Sequence, residues 1–185
     1  MPKTLILLFH PALARSCANA ALAAAAARLP QTDVVDMQAL YPAGAVDVPR
    51  EVARLLAADR LVLQFPVQWY AAPPLLRAWQ DQVLTRMFYV APEEGRRLAG
   101  MPLLVAATVG NTVAAYAPDG VNLFPLEELL RPLQAMAHRC GLAWTPPFLL
   151  HEAGRLDPAA LAAAGRRYAG RLDQAGFRAG PCPGS

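Results

Sequence analysis

Long apolar runs, paired cysteines and strong charge of either sign are all missing from this chain, and each absence removes a class of protein. Lys3 followed by Leu5-Ile6-Leu7-Leu8-Phe9 imitates the start of a secretory signal, but His10, Pro11 and Arg15 interrupt the run before a signal core accumulates. No later stretch is long and uninterrupted enough to span a bilayer, so the expectation is a soluble, cytoplasmic protein. Cys17, Cys140 and Cys182 form an odd set without paired metal-ligand spacing, which argues against a disulfide framework and a zinc site and fits a reducing compartment. His10, His138 and His151 fall on separate elements, so no metal is expected. With 17 Lys and Arg against 14 Asp and Glu, the formal charge is only +3. The arginines are scattered, so no nucleic acid is expected as a partner, whereas anionic small molecules stay open as ligands. The chain also lacks a Gly-x-Gly-x-x-Gly turn and a Gly-x-Ser-x-Gly elbow, which removes the common dinucleotide-binding turn and the serine hydrolases.

What is present is a regular alternation. At 185 residues and 55% hydrophobic content the chain has enough apolar surface for one core covered by helices on both faces. Short apolar runs at Thr4 to Phe9, Thr32 to Met37, Leu61 to Phe65, Pro102 to Thr108 and Trp144 to Leu150 read as strands. Longer segments at Cys17 to Leu29, Pro49 to Ala58, Pro74 to Arg86, Leu126 to Cys140 and Pro158 to about Gln174 read as helices, with prolines at several starts and Gly141 after one end. Repeated strand-helix units of this kind build a parallel sheet. The expected fold is α/β, a flavodoxin-like three-layer sandwich with a five-stranded parallel sheet of order 2-1-3-4-5 and helices on both faces. Residues 1–178 are expected to form a single domain, with 179–185 as a flexible tail.

Such sheets bind ligands at the carboxyl ends of their strands, near the point where strand order reverses. That rule selects three loops. In the first, His10 to Asn19, Ser16 is placed to cap the following helix, whose amides then face the loop and favour an anion. His10, Arg15, the Ser16 hydroxyl and Asn19 are suited to hold a phosphate there; the plainer alternative is a cap beside a satisfied strand-end histidine. In the second, Pro66-Val67-Gln68-Trp69-Tyr70 offers backbone groups and aromatic surface to a planar, partly apolar ring such as isoalloxazine. The alternative is that Trp69 and Tyr70 pack against Trp79 or a partner subunit. In the third, Thr108-Val109-Gly110-Asn111-Thr112 allows close backbone approach to a cofactor edge. Tyr116 and Asn122 lie beyond it, and a tyrosine hydroxyl can donate to negative charge developing on the ring or the acceptor; the alternative is an ordinary surface or interface tyrosine.

With these loops in view the chain resembles the NAD(P)H quinone reductase family of flavodoxin-like proteins, especially the bacterial branch that includes ancillary subunits of glutathione-gated potassium-efflux systems. The resemblance rests on L-I-L-L-F-H-P at 5–11 with S-C-A-N at 16–19, Q-F-P-V-Q-W-Y-A-A-P-P-L-L at 64–76, T-V-G-N at 108–111 and L-Q-A-M-A-H-R-C-G-L at 133–142. It implies that His10, Ser16, Cys17, Ala18 and Asn19 hold the phosphate side of a flavin. It implies that Pro66, Val67, Gln68, Trp69, Tyr70, Thr108, Val109, Gly110 and Asn111 surround its ring. By the same resemblance the activity is two-electron, ping-pong reduction of quinone-like acceptors by NADH or NADPH, with FMN, or alternatively FAD, in a homodimer. Tyr116 matches the family's catalytic tyrosine, while the accompanying histidine is replaced by Asn122, which cannot carry a proton near neutral pH. Asn111 stands where a second glycine is usual. Cys17 is expected to be a small buried or cofactor-adjacent residue with no nucleophilic role. The alternative function is a flavin-binding regulatory subunit docked on a potassium-efflux transporter at the inner membrane, with little turnover. A one-electron carrier is disfavoured by the lack of a strongly acidic surface.

Overall fold

The computed structural model describes residues 2–173, so the proposed tail at 179–185 and Cys182 lie outside the described residues. Strand β1 (Thr4–Leu8) lies between β2 (Thr32–Asp36) and β3 (Arg60–Pro66), and β3 pairs in turn with β4 (Pro102–Thr108), every pair parallel. The fifth position beside β4 is shared by β5 (Ala143–Trp144) and β6 (Phe148–Leu150), also parallel to it. The expected order 2-1-3-4-5 is thus the observed one.

Period-two alternation divides the central strands between two cores. Leu5, Leu7, Leu63, Phe65 and Val105 face helices α3 (Val48–Leu56), α4 (Pro74–Trp79) and α7 (Arg131–Arg139). Ile6, Val62, Leu104 and Ala106 face α1 (Cys17–Ala26) and α8 (Pro158–Asp173). Burial on both faces explains why these strands read as unbroken apolar runs. Gly165 of α8 sits so close to α1 that a Cβ there would meet Ala25 Cβ at 3.1 Å.

Several elements differ from the expected boundaries, each for a local reason. The fifth strand is split because Pro146 and Pro147 have no N–H to give β4. Thr145 fills the gap, donating both its amide (3.0 Å) and its hydroxyl (2.9 Å) to the Leu103 carbonyl. The helix expected over 126–140 is two helices, α6 (Leu126–Leu129) and α7, because Pro132 cannot sit inside a continuous helix. The first helix ends at Ala26, and β2 ends at Asp36, whose side chain accepts from the Gln38 and Ala39 amides to start a short α2 (Met37–Leu40). After α4 the chain runs on in wide turns over Gln80–Leu84 and Arg86–Val90 into α5 (Pro92–Arg96). Gly95 is required there, since a Cβ would meet the Met87 carbonyl oxygen at 2.6 Å. No helix among the described residues is long and apolar enough to cross a membrane.

A buried carboxylate ties α2, α3 and α4 together. Glu51, fully buried, accepts from Tyr41 Oη at 2.7 Å and from Trp79 Nε1 at 3.3 Å and pairs with Arg54. Trp79 in turn sets its ring edge-on to Phe9 at the end of β1. Burial first, and then the bond to Glu51, push the Tyr41 hydroxyl up from 10.0 to about 12. Glu51→Ala leaves two buried donors unpaired and is expected to lower stability by about 3 kcal/mol in urea unfolding. Because the folded state holds the Tyr41 proton more tightly than the unfolded state, its contribution is complete below pH 10 and is lost as pH rises towards about 12. Tyr41→Phe is expected to reduce the slope of stability against pH in that window.

Candidate functional site

The parallel register sets Leu8 beside Gln64 and Pro66 beside Thr108, so the chain leaves β1, β3 and β4 at the same end of the sheet. A cleft of about 390 Å3 opens there. His10, Arg15, Ser16, Cys17, Ala18 and Asn19 line one side, Pro66 and Val67 a second, and Thr108, Val109 and Gly110 a third. Ala153, Gly154 and Leu156, from the loop after β6, complete it.

The first loop turns through a short 3-10 segment, Leu13–Arg15, into Ser16, which caps α1 by accepting from the Asn19 amide at 3.2 Å. No intrahelical acceptor reaches the amides of Cys17 and Ala18 in that first turn. His10 Nδ1 accepts from the Ala12 amide at 3.0 Å, which leaves the hydrogen on Nε2. Burial lowers its pKa from 6.5 against the raising effect of Asp36, favouring the neutral ring. The cleft therefore has one end built of uncharged donors and a positive helix terminus, with Arg15 exposed beside it. Cys17 is exposed at this end.

The second loop is a two-residue hairpin. Gln68 and Ala71 exchange both main-chain hydrogen bonds at 3.0 Å, and between them Trp69 (φ 46°) and Tyr70 (φ 63°) are both left-handed. This turn normally takes Asn-Gly, and each side chain in it costs about 1–2 kcal/mol. Trp69 is 93% exposed and does not pack against Trp79, which is buried under β1. The Val67 amide is bonded to the Thr108 carbonyl and that of Gln68 to Ala71, so the amides of Trp69 and Tyr70 are the ones without an acceptor in this loop.

The third loop keeps Gly110 exposed, with nothing within 4 Å of a hypothetical Cβ. Asn111 turns its side chain to the Thr112 amide and its carbonyl to the Glu152 amide, away from the cleft. Tyr116, in the 3-10 turn Ala114–Tyr116, stands edge-on to His151 with ring centroids 5.6 Å apart. Burial, then the Tyr70 charge, raise the Tyr116 pKa above 10. Asn122 Oδ1 accepts from Tyr70 Oη at 3.2 Å, and the tight fold behind it needs Gly120, where a Cβ would meet the Ala114 carbonyl oxygen at 2.4 Å. Two side-chain nitrogens here are buried without a partner, Asn122 Nδ2 and His151 Nδ1.

The expected residues thus fall into two groups. The cleft gathers His10, Ser16, Cys17, Ala18, Asn19, Pro66, Val67, Thr108, Val109 and Gly110. Tyr70, Tyr116 and Asn122 form a second cluster in which hydrogen bonding and ring proximity are mediated by Asn122 and His151. Gln68 and Trp69 stand on the hairpin outside the cleft, and Asn111 faces the main chain. The strand-end rule was applied to three loops and passed over the fourth, which brings His151, Ala153, Gly154 and Leu156. A histidine closing the last apolar run was the available signal.

The family model for the flavodoxin-like fold matches residues 2–172. The glutathione-regulated potassium-efflux system ancillary protein KefG of Cronobacter sakazakii is 38% identical over 166 residues, 90% of each chain. General stress protein 14 of Treponema denticola, solved in complex with FMN, superposes with a TM-score of 0.85 at 33% identity, covering 96% of this chain and 100% of that one. An NADPH-quinone reductase from P. pentosaceus superposes with a TM-score of 0.81 at 27% identity, covering 93% of this chain and 98% of that one.

The strained hairpin gives a direct test. Replacing Trp69-Tyr70 by Asn-Gly relieves both left-handed side chains, and since Trp69 is exposed it sacrifices little packing. The double variant is expected to be more stable than the parent by about 1–2 kcal/mol in urea unfolding. A lowered midpoint would show that the aromatic pair supports the fold.

Proposed function

The chain belongs to the flavodoxin-like fold family, and from that premise we propose that it is an FMN-dependent NAD(P)H oxidoreductase that delivers two electrons to quinone-like acceptors. The observation that carries the reading is the single cleft joining a helix start suited to a phosphate with apolar walls and an open backbone edge suited to a flat ring. FMN fits this donor set. The Cys17 and Ala18 amides, the Ser16 hydroxyl and the His10 Nε2–H would bind its phosphate, with Asn19 behind them. Pro66, Val67, Thr108, Val109 and Gly110 would lie along the ring, and the free amides of Trp69 and Tyr70 would meet its polar edge. FMN is preferred over FAD because the relative solved with a bound flavin holds FMN.

Bound FMN would supply the hydride-accepting and hydride-donating ring, alternating between NADPH or NADH and the acceptor. The chain's own residues do the rest. The open side beyond Gly110 leaves room for a second planar molecule against the ring. Tyr116, its proton retained by burial, would donate a hydrogen bond to an acceptor oxygen as negative charge grows there. Asn122 holds the Tyr70 hydroxyl and cannot itself exchange protons, so its part is orientation.

Trp69, Tyr70, Val113, Val121, Leu123 and Phe124 are all exposed on the loops around the site. That apolar surface supports a homodimer in which a second copy covers the site. The relative named as an efflux-system ancillary protein supports a further partner, a potassium-efflux system; docking on such a transporter would make the chain a cytoplasmic protein, peripheral at the inner membrane. In this reading docking accompanies turnover and does not replace it.

Anaerobic stopped-flow mixing of FMN-loaded protein with NADPH or NADH, and then with a benzoquinone, is expected to give fast bleaching and fast reoxidation of flavin absorbance. Tight FMN binding without bleaching would overturn the oxidoreductase reading. Tyr116→Phe is expected to slow the quinone half-reaction about 10²-fold while leaving FMN affinity unchanged.

A further inference from the structure

Gln64 is a fully buried amide within the apolar run 61–66 of β3, and it is not among the residues that line the cleft. Its side chain lies between the sheet and two helices. Gln64 Nε2 donates to the Asn19 carbonyl at 3.0 Å and to Asn19 Oδ1 at 3.4 Å. Gln64 Oε1 accepts from the hydroxyl of Tyr168 on α8 at 3.2 Å. Asn19 Nδ2 then donates to Thr108 Oγ1 at 2.9 Å and to Ser16 Oγ at 3.5 Å. Asn19, Gln64, Thr108 and Tyr168 are all buried, so the bonds among these four are made away from water, where an unmade one is costly, and the bond to Ser16 is partly buried. Burial pushes the Tyr168 hydroxyl far above its ordinary pKa, so it remains a donor throughout the working pH range.

The loops on the two sides of the cleft are attached differently. Those assigned to the ring hang from main-chain bonds: the Val67 amide to the Thr108 carbonyl, the Val109 amide to the Leu150 carbonyl, and the Ala153 amide to the Val109 carbonyl, each at 2.9 Å. The first turn of α1 is tied to the sheet through side chains, and Asn19 is the tie. Removing a partner of Asn19 therefore loosens the phosphate end and leaves the ring end in place.

We propose that Gln64 and Tyr168 are positioning residues for the flavin phosphate, acting through Asn19 to hold the first turn of α1 with its amides towards the phosphate ester. This rests on the flavin reading given above. Neither residue touches the ligand, and the network adds nothing to a flavin that lacks the phosphate.

The test compares FMN with riboflavin, which carries the same ring without the phosphate. Wild-type protein and the Tyr168→Phe and Gln64→Met variants are titrated with each ligand by quenching of flavin fluorescence, and melting temperatures are recorded alongside. Tyr168→Phe is expected to weaken FMN about five-fold and Gln64→Met about ten-fold, with riboflavin changed less than about two-fold in both. The preference for FMN over riboflavin falls accordingly. Equal weakening of both ligands, or an unchanged preference, overturns the assignment and reduces the network to a support of the core. If Gln64→Met does not fold, Tyr168→Phe, which removes one oxygen atom and keeps the ring, decides alone. Wild-type protein that binds neither flavin overturns the flavin reading itself, an outcome visible before any variant is compared.

Discussion

A buried amide can be satisfied only where its neighbours are fixed, and Gln64 imposes that demand at the centre of this sheet. Its main-chain carbonyl accepts from the Phe9 amide at 2.8 Å, and its side chain accepts from α8 and donates to α1. A shift of β3 by one residue would turn this amide away from Asn19 and Tyr168 to the opposite core, towards Leu7, Val105 and Trp79, while turning Leu63 and Phe65 out of that core. The requirement therefore specifies register as well as stability. It does so two residues before β3 ends at Pro66, where a small error would be transmitted directly to the cleft.

Topology supplies the remainder. Three adjacent parallel strands ending together make a cleft unavoidable at the point where the order reverses between β1 and β3, and the helix after β1 must begin there. A helix start and a glycine-containing loop placed side by side are already an anion end and a ring end. The opposite core contributes by being rigid: Glu51 joins α2, α3 and α4 beneath the hairpin, and Trp79 carries that support to Phe9 just ahead of His10. The two buried polar clusters fix different layers, one tying α1 and α8 to the sheet and the other joining α2, α3 and α4.

Much of this was legible in the sequence because period and punctuation agree. Continuous apolar runs flanked by Ala/Leu-rich amphipathic segments define a parallel sheet, and Ser16 ahead of Cys17-Ala18-Asn19 declares a helix start. The divided fifth strand and the break before α7 were overridden by Pro146-Pro147 and Pro132, which act only when a neighbouring carbonyl is known to need an N–H. The Asn19, Gln64, Thr108 and Tyr168 network was not legible because its bonded partners are up to 104 residues apart and nothing local shows that these side chains meet. The left-handed Trp69 and Tyr70 ran against expectation too, since local preference places neither residue in such a turn.

That last conflict bears on how the site works. A backbone that holds two bulky residues left-handed, with one of them almost fully exposed, is retained against its local cost by something other than folding. The hairpin leaves the Trp69 surface to solvent and hands the Tyr70 hydroxyl to Asn122, and Tyr116 rests against His151. The resemblance sets Asn122 against the family's histidine, and here an imidazole stands beside Tyr116 all the same, supplied by His151 just after β6. The loop that carries this imidazole is fixed to the third loop by the Glu152 and Ala153 amides, which donate to the Asn111 and Val109 carbonyls. The position of Tyr116 is consequently set by two loops at once, the third that carries it and the fourth that supplies its ring neighbour and also walls the cleft.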